Sequence, residues 1–482
     1  MVCNATLLRA SAWSALRSWG TKLTTVIIFI LLARILSPSE IGAISILAAI
    51  ILLIQTAVEA VFSEYIVKSP DLGADEVNSI FWSQAVLGFV AALVIGFSAM
   101  FWAPFVVQSP DATLMVQALA ITIAISSIGR VPDALMRARL QFRKIALRSI
   151  ATTVAGGAVG LWLAFAGYGL WSLVAKQVVE SVTECLMNYA ASGWRPGRPS
   201  LSTNAPALSY GLPLAGSYAL TILSGRIDFF VIGLALGPHA LGLYAFALRI
   251  YQVVYELFVG VLTQISLPIL AQVRNDPQAL SLLHIKLVRI VSLLSSPTFC
   301  LLALSAAGAI PLLVGDAWRA SIPVLQLMCI AGPVAAVTTF NASVLLAAGR
   351  SGTHLQFTGL GLAFGVLAFT AAAPFGLLAL ALAFVARYFL LAVFSSYAAA
   401  SAGGTSGGNM LQAGGPPFLL ALGGAALGFW VQQIWPMNDP VSAGMTSVAA
   451  ALAVMGGLGF ALYRKDLFTM VAAIRRKSVR GF

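Results

Sequence analysis

An all-α polytopic membrane protein of about fourteen transmembrane helices is what this sequence predicts, on three observations. Sixty per cent of the 482 residues are hydrophobic and only 9% are charged, where a soluble chain carries roughly 25% charged residues. Apolar runs of about 20 residues, the length that crosses roughly 30 Å of hydrocarbon, recur from end to end. The chain also repeats itself. Leu36, Pro38, Gly42 and Ile50 return as Leu236, Pro238, Gly242 and Ile250, with small residues, Ser37 and Gly237, between them. In both copies a short turn joins two long hydrophobic segments, and such repeats set the architecture. A β-barrel would instead show short alternating segments, which are absent.

The first apolar run follows Arg17 and Lys22, as in a signal peptide. It continues to Leu36 without a small-residue cleavage site and meets a second span directly, so it reads as a retained helix. The predicted spans are roughly 16–36, 41–62, 78–100, 113–131, 146–166, 169–190, 207–236, 239–266, 287–310, 321–347, 355–373, 376–399, 416–434 and 441–463. An even count puts both termini on one side. Most of the 28 Lys and Arg residues fall in the N-terminal segment, the even-numbered turns and the C-terminal tail, and only Arg319 lies in a loop of the opposite face. The positive-inside rule then makes both termini cytoplasmic. The net charge of +12 is a topology signal, so nucleic acid is not an expected partner.

This reading divides the chain into an N-terminal six-helix bundle (1–191), a cytoplasmic linker (192–206), a C-terminal six-helix bundle (207–400), a Gly-rich linker (401–415), helices 13 and 14 (416–463) and a basic cytoplasmic tail (464–482). With six spans per half, the seventh enters from the same side as the first, so the two pseudo-symmetric bundles form a parallel repeat about an axis along the membrane normal. Two such bundles leave an axial cavity that can open to either face, which is transporter geometry. The loops are too short to hold a separate core.

Ionisable side chains at membrane depth cost at least about 2.5–3.5 kcal/mol, so each needs a partner or a wet cavity. Gln55 and Glu59 lie four apart on one helical face, and Gln252 and Glu256 repeat that spacing with Arg249 just before them. Arg226 and Asp228 are two apart and cannot pair on their own helix. Asp228 is a candidate partner for Arg249 or a site for a coupling cation. Lys176 and Glu180 are spaced to pair locally, and that bland reading outweighs a substrate role. Arg34, at the outer end of the first span, reads as a snorkelling residue. Arg387 has no acid near it in sequence and is a cavity candidate. The basic segment Arg130–Arg148 reads as an anchor on the anionic inner leaflet, a role compatible with gathering a phosphate-bearing lipid.

Signals for enzymatic chemistry are missing: there is no Gly-rich phosphate loop and no Ser/His/Asp set, and His239, His284 and His354 are isolated. Cys3, Cys185, Cys300 and Cys329 are scattered, without metal or disulfide spacing. No cofactor or metal is expected.

Several stretches resemble the bacterial polysaccharide exporters, the O-antigen and exopolysaccharide repeat-unit flippases of the multidrug/oligosaccharidyl-lipid/polysaccharide exporter superfamily. They are Leu32-Ala-Arg34-Ile-Leu36-Ser-Pro38-Ser-Glu40-Ile-Gly42, Asp228-x-x-x-Ile232-Gly233 with Leu236-Gly237 and Gly242-x-Tyr244, Arg137-Ala-Arg-Leu-Gln-Phe142-Arg143-Lys, Gly167-Tyr-Gly169-Leu-Trp171 and Leu346-Ala-Ala-Gly349-Arg350. Together they cover roughly residues 10–400. The resemblance implies an inner-membrane protein, not an enzyme, that moves a polyprenyl-pyrophosphate-linked oligosaccharide between leaflets by alternating access, with membrane lipid and other polysaccharide assembly proteins as partners. Cationic cavities are typical of the family, which fits Arg226, Arg249 and Arg387 as partners for pyrophosphate.

Three other readings stay open. A cation-coupled drug antiporter of the same fold would rest on Glu59, Asp228 and Glu256. A membrane polymerase or glycosyltransferase acting on lipid-linked sugars would need larger outer loops. A peptidoglycan-precursor flippase is a variant of the leading reading.

Overall fold

The computed structural model describes residues 20, 22–69, 71–107, 109–199, 205–273, 276–403, 407–434 and 446–453. The basic tail at 464–482, most of the predicted fourteenth span and the residues before Gly20 lie outside the described residues. Among the described residues all regular structure is helical. A first helix, α1 (22–35), is followed by α2 (Pro38–Lys68), α3 (Ala74–Val106), α4 (Ala112–Ala138), α5 (Phe142–Phe165), α6 (Leu170–Ser192), α7 (Ala205–Ala235) and α8 (Gly237–Gln272). Then come α9 (Pro277–Val314), α10 (Ser321–Ala347), α11 (Ser351–Ala372), α12 (Leu377–Gly403), α13 (Gly407–Ile434) and the helical residues 446–453 of α14. Ten of the described helices are long and apolar enough to cross a membrane. The expected all-α, fourteen-helix polytopic fold is the one observed.

Several helices overrun their predicted spans. Hydropathy registers only the hydrocarbon-embedded part, whereas backbone hydrogen bonding continues into the polar interface until a cap or turn stops it. At α2 that stop is sharp at the start: Pro38 occupies the first turn, the Ser37 hydroxyl accepts from the Glu40 amide, and Glu40 Oε2 accepts from the Ser37 amide at 2.8 Å. A 3-10 turn at Ala373–Phe375 separates α11 from α12. The stretch expected as a Gly-rich linker is helical from Gly407 onward, and α13 packs along α9, where the Ser292 hydroxyl donates to the Gly414 carbonyl at 2.8 Å.

The chain divides into two compact units, Met1–Phe246 with Thr358–Leu380, and Ala247–Phe357 with Ala381–Phe482. In the first unit, α2 packs along α7, α4 and α3, while α6 packs against α4 and α5. In the second, α9 packs against α10 and α13. There Tyr251 stacks on Phe299 and Phe384 at ring separations of 5.2 and 5.6 Å, and Phe299 covers Gly332. A buried polar chain also crosses this second core: His284 meets Asn341 Oδ1 at 2.9 Å, and Asn341 donates to Ser395 and Ser396, both at 3.0 Å.

The two copies of the sequence repeat touch each other inside the first unit. A Cβ built on Gly42 would fall on the Pro238 carbonyl and lie 2.6 Å from the Gly242 nitrogen. One built on Gly242 would fall on the Pro38 carbonyl. The contact is reciprocal, backbone against backbone, with no room for a side chain in either helix. Beside it Ser39 Oγ lies 3.3 Å from His239 Nδ1, again between matched positions of the repeat. A third such approach brings Gly211 of α7 onto the Val61 carbonyl of α2. Small residues at helix crossings let membrane helices gain packing where no hydrophobic drive exists between them. Gly42→Ala and Gly242→Ala are each expected to lower the thermal stability of the detergent-purified protein sharply. Gly216→Ala, at a position with open space around it, should leave the melting temperature within a few degrees.

A buried charge network as candidate functional site

The densest ionic cluster among the described residues joins four helices of the first unit. On α4 the spacing Arg130-x-x-Asp133-x-x-x-Arg137 puts all three side chains on one face. Asp133 sits at the centre. Its carboxylate receives Arg148 from α5 and Arg137 at 3.0 Å, with Arg130 at 3.8 Å. Each arginine has a second acidic partner. Arg130 pairs with Glu59 of α2, Arg137 with Glu64 of α2 at 2.8 Å, and Arg148 with Glu184 of α6 at 3.4 Å. Amides complete the shell: Gln55 donates to Glu59 at 2.9 Å, while Asn188 accepts from Arg148 and donates to the Gly129 carbonyl at 3.0 Å.

Three guanidinium groups against four carboxylates make this network nearly self-neutral. A buried charge stripped of its partner costs several kcal/mol, so the mutual pairing is what permits seven charges inside a helical bundle. Side-chain exposures of 6% at Arg148 and 5% at Asp133 mark its core. Chemically the cluster is committed: its arginines are held by carboxylates, so it cements α2, α4, α5 and α6. The basic segment Arg130–Arg148 is therefore divided. Arg130, Arg137 and Arg148 point into the network, and Arg139, Arg143 and Lys144 remain exposed at the α4–α5 turn. Asp133 was not anticipated from the sequence, although its offsets of three and four from two arginines are a legible signal.

The sequence-derived candidates distribute as follows. Gln55 and Glu59 are brought together and joined to Arg130. Lys176 pairs with Glu180 at 2.8 Å, on the face of α6 that meets Gly156 and Gly160 of α5. Arg34 is exposed at the end of α1. Asp228, 3% exposed, accepts from the Tyr244 hydroxyl at 2.8 Å. Arg226, half-buried, lies over the ring of Phe229 with its guanidinium carbon 4.8 Å from the centroid, and no carboxylate pairs with it among the described residues. In the second unit Arg249, Gln252 and Arg387 are half-buried and Glu256 is exposed. No group of three or more His, Cys, Asp or Glu residues with metal-binding geometry occurs among the described residues.

The profile of a family described as "Polysaccharide biosynthesis protein" matches residues 31–323, more than half of the chain. The chain belongs to this family. As a polysaccharide biosynthesis protein it is 25% identical over 348 residues to the lipopolysaccharide biosynthesis protein WzxC of Escherichia coli K12, covering 70% of each chain. It is 25% identical over 328 residues to the succinoglycan biosynthesis transport protein ExoT of Rhizobium meliloti, covering 67% of this chain and 66% of that relative. Its fold matches the lipid II flippase MurJ in an inward closed conformation with a TM-score of 0.76, at 11% identity, over 94% of this chain and 98% of that one. An inward-facing multidrug resistance transporter of the MOP superfamily matches with a TM-score of 0.64, at 14% identity, over 80% and 96% of the two chains. At these identities the structural likeness speaks for the fold. The family anticipated from the repeat turns and motifs is the one found, and this polysaccharide biosynthesis protein is a multi-pass helical membrane protein.

Replacing Asp133 with Ala leaves three guanidinium groups without their shared carboxylate. The expected loss is about 3–5 kcal/mol of stability, the range for breaking a buried pair from one side. Chemical unfolding in detergent measures it, with Asp316→Ala as the control. Asp316 meets Arg319 at 2.8 Å on an exposed turn, and its removal should change little.

Proposed function

We propose that this protein is a flippase that carries polyprenyl-pyrophosphate-linked oligosaccharide repeat units across the bacterial inner membrane by alternating access. The product would feed exopolysaccharide, capsule or O-antigen synthesis. Both termini are cytoplasmic in this reading, the six-helix repeats 1–191 and 207–400 are the moving parts, and other polysaccharide assembly proteins are its partners. The membership of the chain in the polysaccharide biosynthesis family and the names of its relatives support a lipid-linked sugar as cargo.

The physical problem is that a pyrophosphate and a sugar chain cannot enter hydrocarbon, whereas a polyprenyl tail can stay in it. A transporter for such a molecule needs cations within the membrane that its own carboxylates do not neutralise. Arg226 is the observation that carries the reading. A cation–π contact is worth about 0.5–2 kcal/mol, less than the roughly 2.5–3.5 kcal/mol that an arginine costs at membrane depth. The ring of Phe229 therefore orients the guanidinium without satisfying it, and an anionic headgroup would supply the rest. Arg249 and Arg387 are further candidate contacts, with Lys176 and Arg34 as lesser ones. Glu59 and Asp228, the carboxylates on which a cation-coupled drug antiporter would rest, are held by Arg130 and Tyr244, which disfavours that alternative.

Deletion of the gene should cause complete lipid-linked repeat units to accumulate on the cytoplasmic leaflet. Accumulation on the outer leaflet would instead identify a polymerase. Arg226→Ala should lower export at least ten-fold while the protein remains folded and inserted, and Arg226→Lys should recover part of it. Wild-type export by the alanine variant would remove Arg226 from the site.

A further inference from the structure

We infer that the α4–α5 turn and the segment after α6 form a binding site for an anionic phospholipid of the surrounding bilayer, separate from the transport route. A cavity of about 270 Å³ opens here. Its floor is apolar, with Ile66 of α2, Val77 of α3 and Leu135 of α4, and its rim carries Trp194 and Arg139. Arg139 is its one charged lining residue. It is exposed, and among the described residues no carboxylate pairs with it.

The segment 193–199, which lines the cavity through Trp194, is tied down. The Gly197 amide donates to Asn78 at 2.9 Å, and the Trp82 indole donates to the Gly197 carbonyl at 3.1 Å. Trp194 packs against Phe81 and Tyr189 at ring separations of 5.3 and 6.4 Å. These contacts fix the segment that carries Arg195 and Arg198, both exposed, and that lines the cavity through Trp194. The wall residue Trp194 is thus held in place, with Arg195 directly after it in the chain.

A second observation lies next to Arg139. Leu140 ends α4 with φ of +55°, the only positive φ at a non-glycine among the described residues. The Leu140 amide donates to the Arg137 carbonyl and the Gln141 amide to Met136, both at 3.0 Å, the pattern of a helix end that favours glycine at this position. The corresponding end of α10 in the second repeat carries Gly349, with φ of +74°. A leucine in this conformation is strained, and its side chain is 67% exposed. Local stability alone argues for glycine. A leucine that points away from the protein beside an arginine suits a surface that is apolar below and anionic above.

The exposed groups around the site are Arg139, Arg143, Lys144, Arg195 and Arg198, against Asp71, Asp75 and Glu76 at the α2–α3 turn. Lys144 also donates to the Ala191 carbonyl at 2.7 Å, and Glu76 caps the Gly73 amide at 3.1 Å. The balance is positive. A phosphate seated at Arg139 with part of an acyl chain over Ile66, Val77 and Leu135 satisfies both halves of the site.

The test is native mass spectrometry of the purified full-length protein with added phosphatidylglycerol or phosphatidylcholine. The wild type should retain one phosphatidylglycerol in preference to phosphatidylcholine. Arg139→Gln should weaken that retention about five-fold, as expected for loss of one basic residue at a membrane surface. Ala138→Trp, which fills the cavity and spares every charge, should abolish it. Leu140→Gly should raise thermal stability by relieving the turn and still lower retention, a pair of opposite signs that a purely structural leucine would not give. Equal retention of the two lipids by the wild type, or unchanged retention in Ala138→Trp, would overturn the site. Displacement of phosphatidylglycerol by polyprenyl pyrophosphate at equal concentration would also overturn it, by assigning the cavity to the transported cargo.

Discussion

The backbone contact between Gly42 and Gly242 constrains everything around it in the first unit. Two helix starts that meet without an intervening side chain gain dispersion contacts along both backbones, and neither can rotate without driving a neighbouring residue into the seam. The same closeness continues down α2, where Gly211 of α7 abuts the Val61 carbonyl. That crossing sets the height and rotation of the α2 segment that carries Glu59 and Glu64. The two carboxylates then meet Arg130 and Arg137 with no loop or flexible segment between. A contact between glycines thus places an ionic network several turns away.

The network and the uncommitted arginine illustrate two uses of charge in one unit. Arg148 and Asp133 are enclosed and mutually satisfied, and such a pair holds helices together because separating it strands a charge in a medium that cannot solvate it. Arg226 has an aromatic ring in place of a carboxylate. The first arrangement is satisfied by its own carboxylates, while the second leaves the guanidinium on a ring. The proposed flippase activity would rest on the difference between those two kinds of arginine, and residue type alone does not express it.

Much of the fold was legible from residue order. Hydropathy located the spans, and the Pro38/Pro238 and Gly42/Gly242 matches marked two helix starts that meet. Local spacing was informative where both partners share a helix, as with Lys176 and Glu180 or Gln55 and Glu59. It was uninformative where the partner comes from another helix. Arg130 to Glu59, Arg137 to Glu64 and Arg148 to Asp133 each join residues from different helices. The segment Arg130–Arg148 consequently read as one basic surface, when the helix turn at Leu140 sends part of it inward and leaves part outside.

Sequence by itself determined that this is a polytopic helical membrane protein, because the bilayer imposes length and apolarity on each span independently. It also determined the exporter family, through turn residues whose backbone conformations few other side chains allow. Only the tertiary structure decided that the matched glycines of the two repeats touch each other. It likewise decided that Asp133 gathers three arginines and that Arg226 rests on Phe229 instead of a carboxylate. Those outcomes depend on the rotation and depth at which one helix meets another, and such angles arise from packing across helices that no single span encodes.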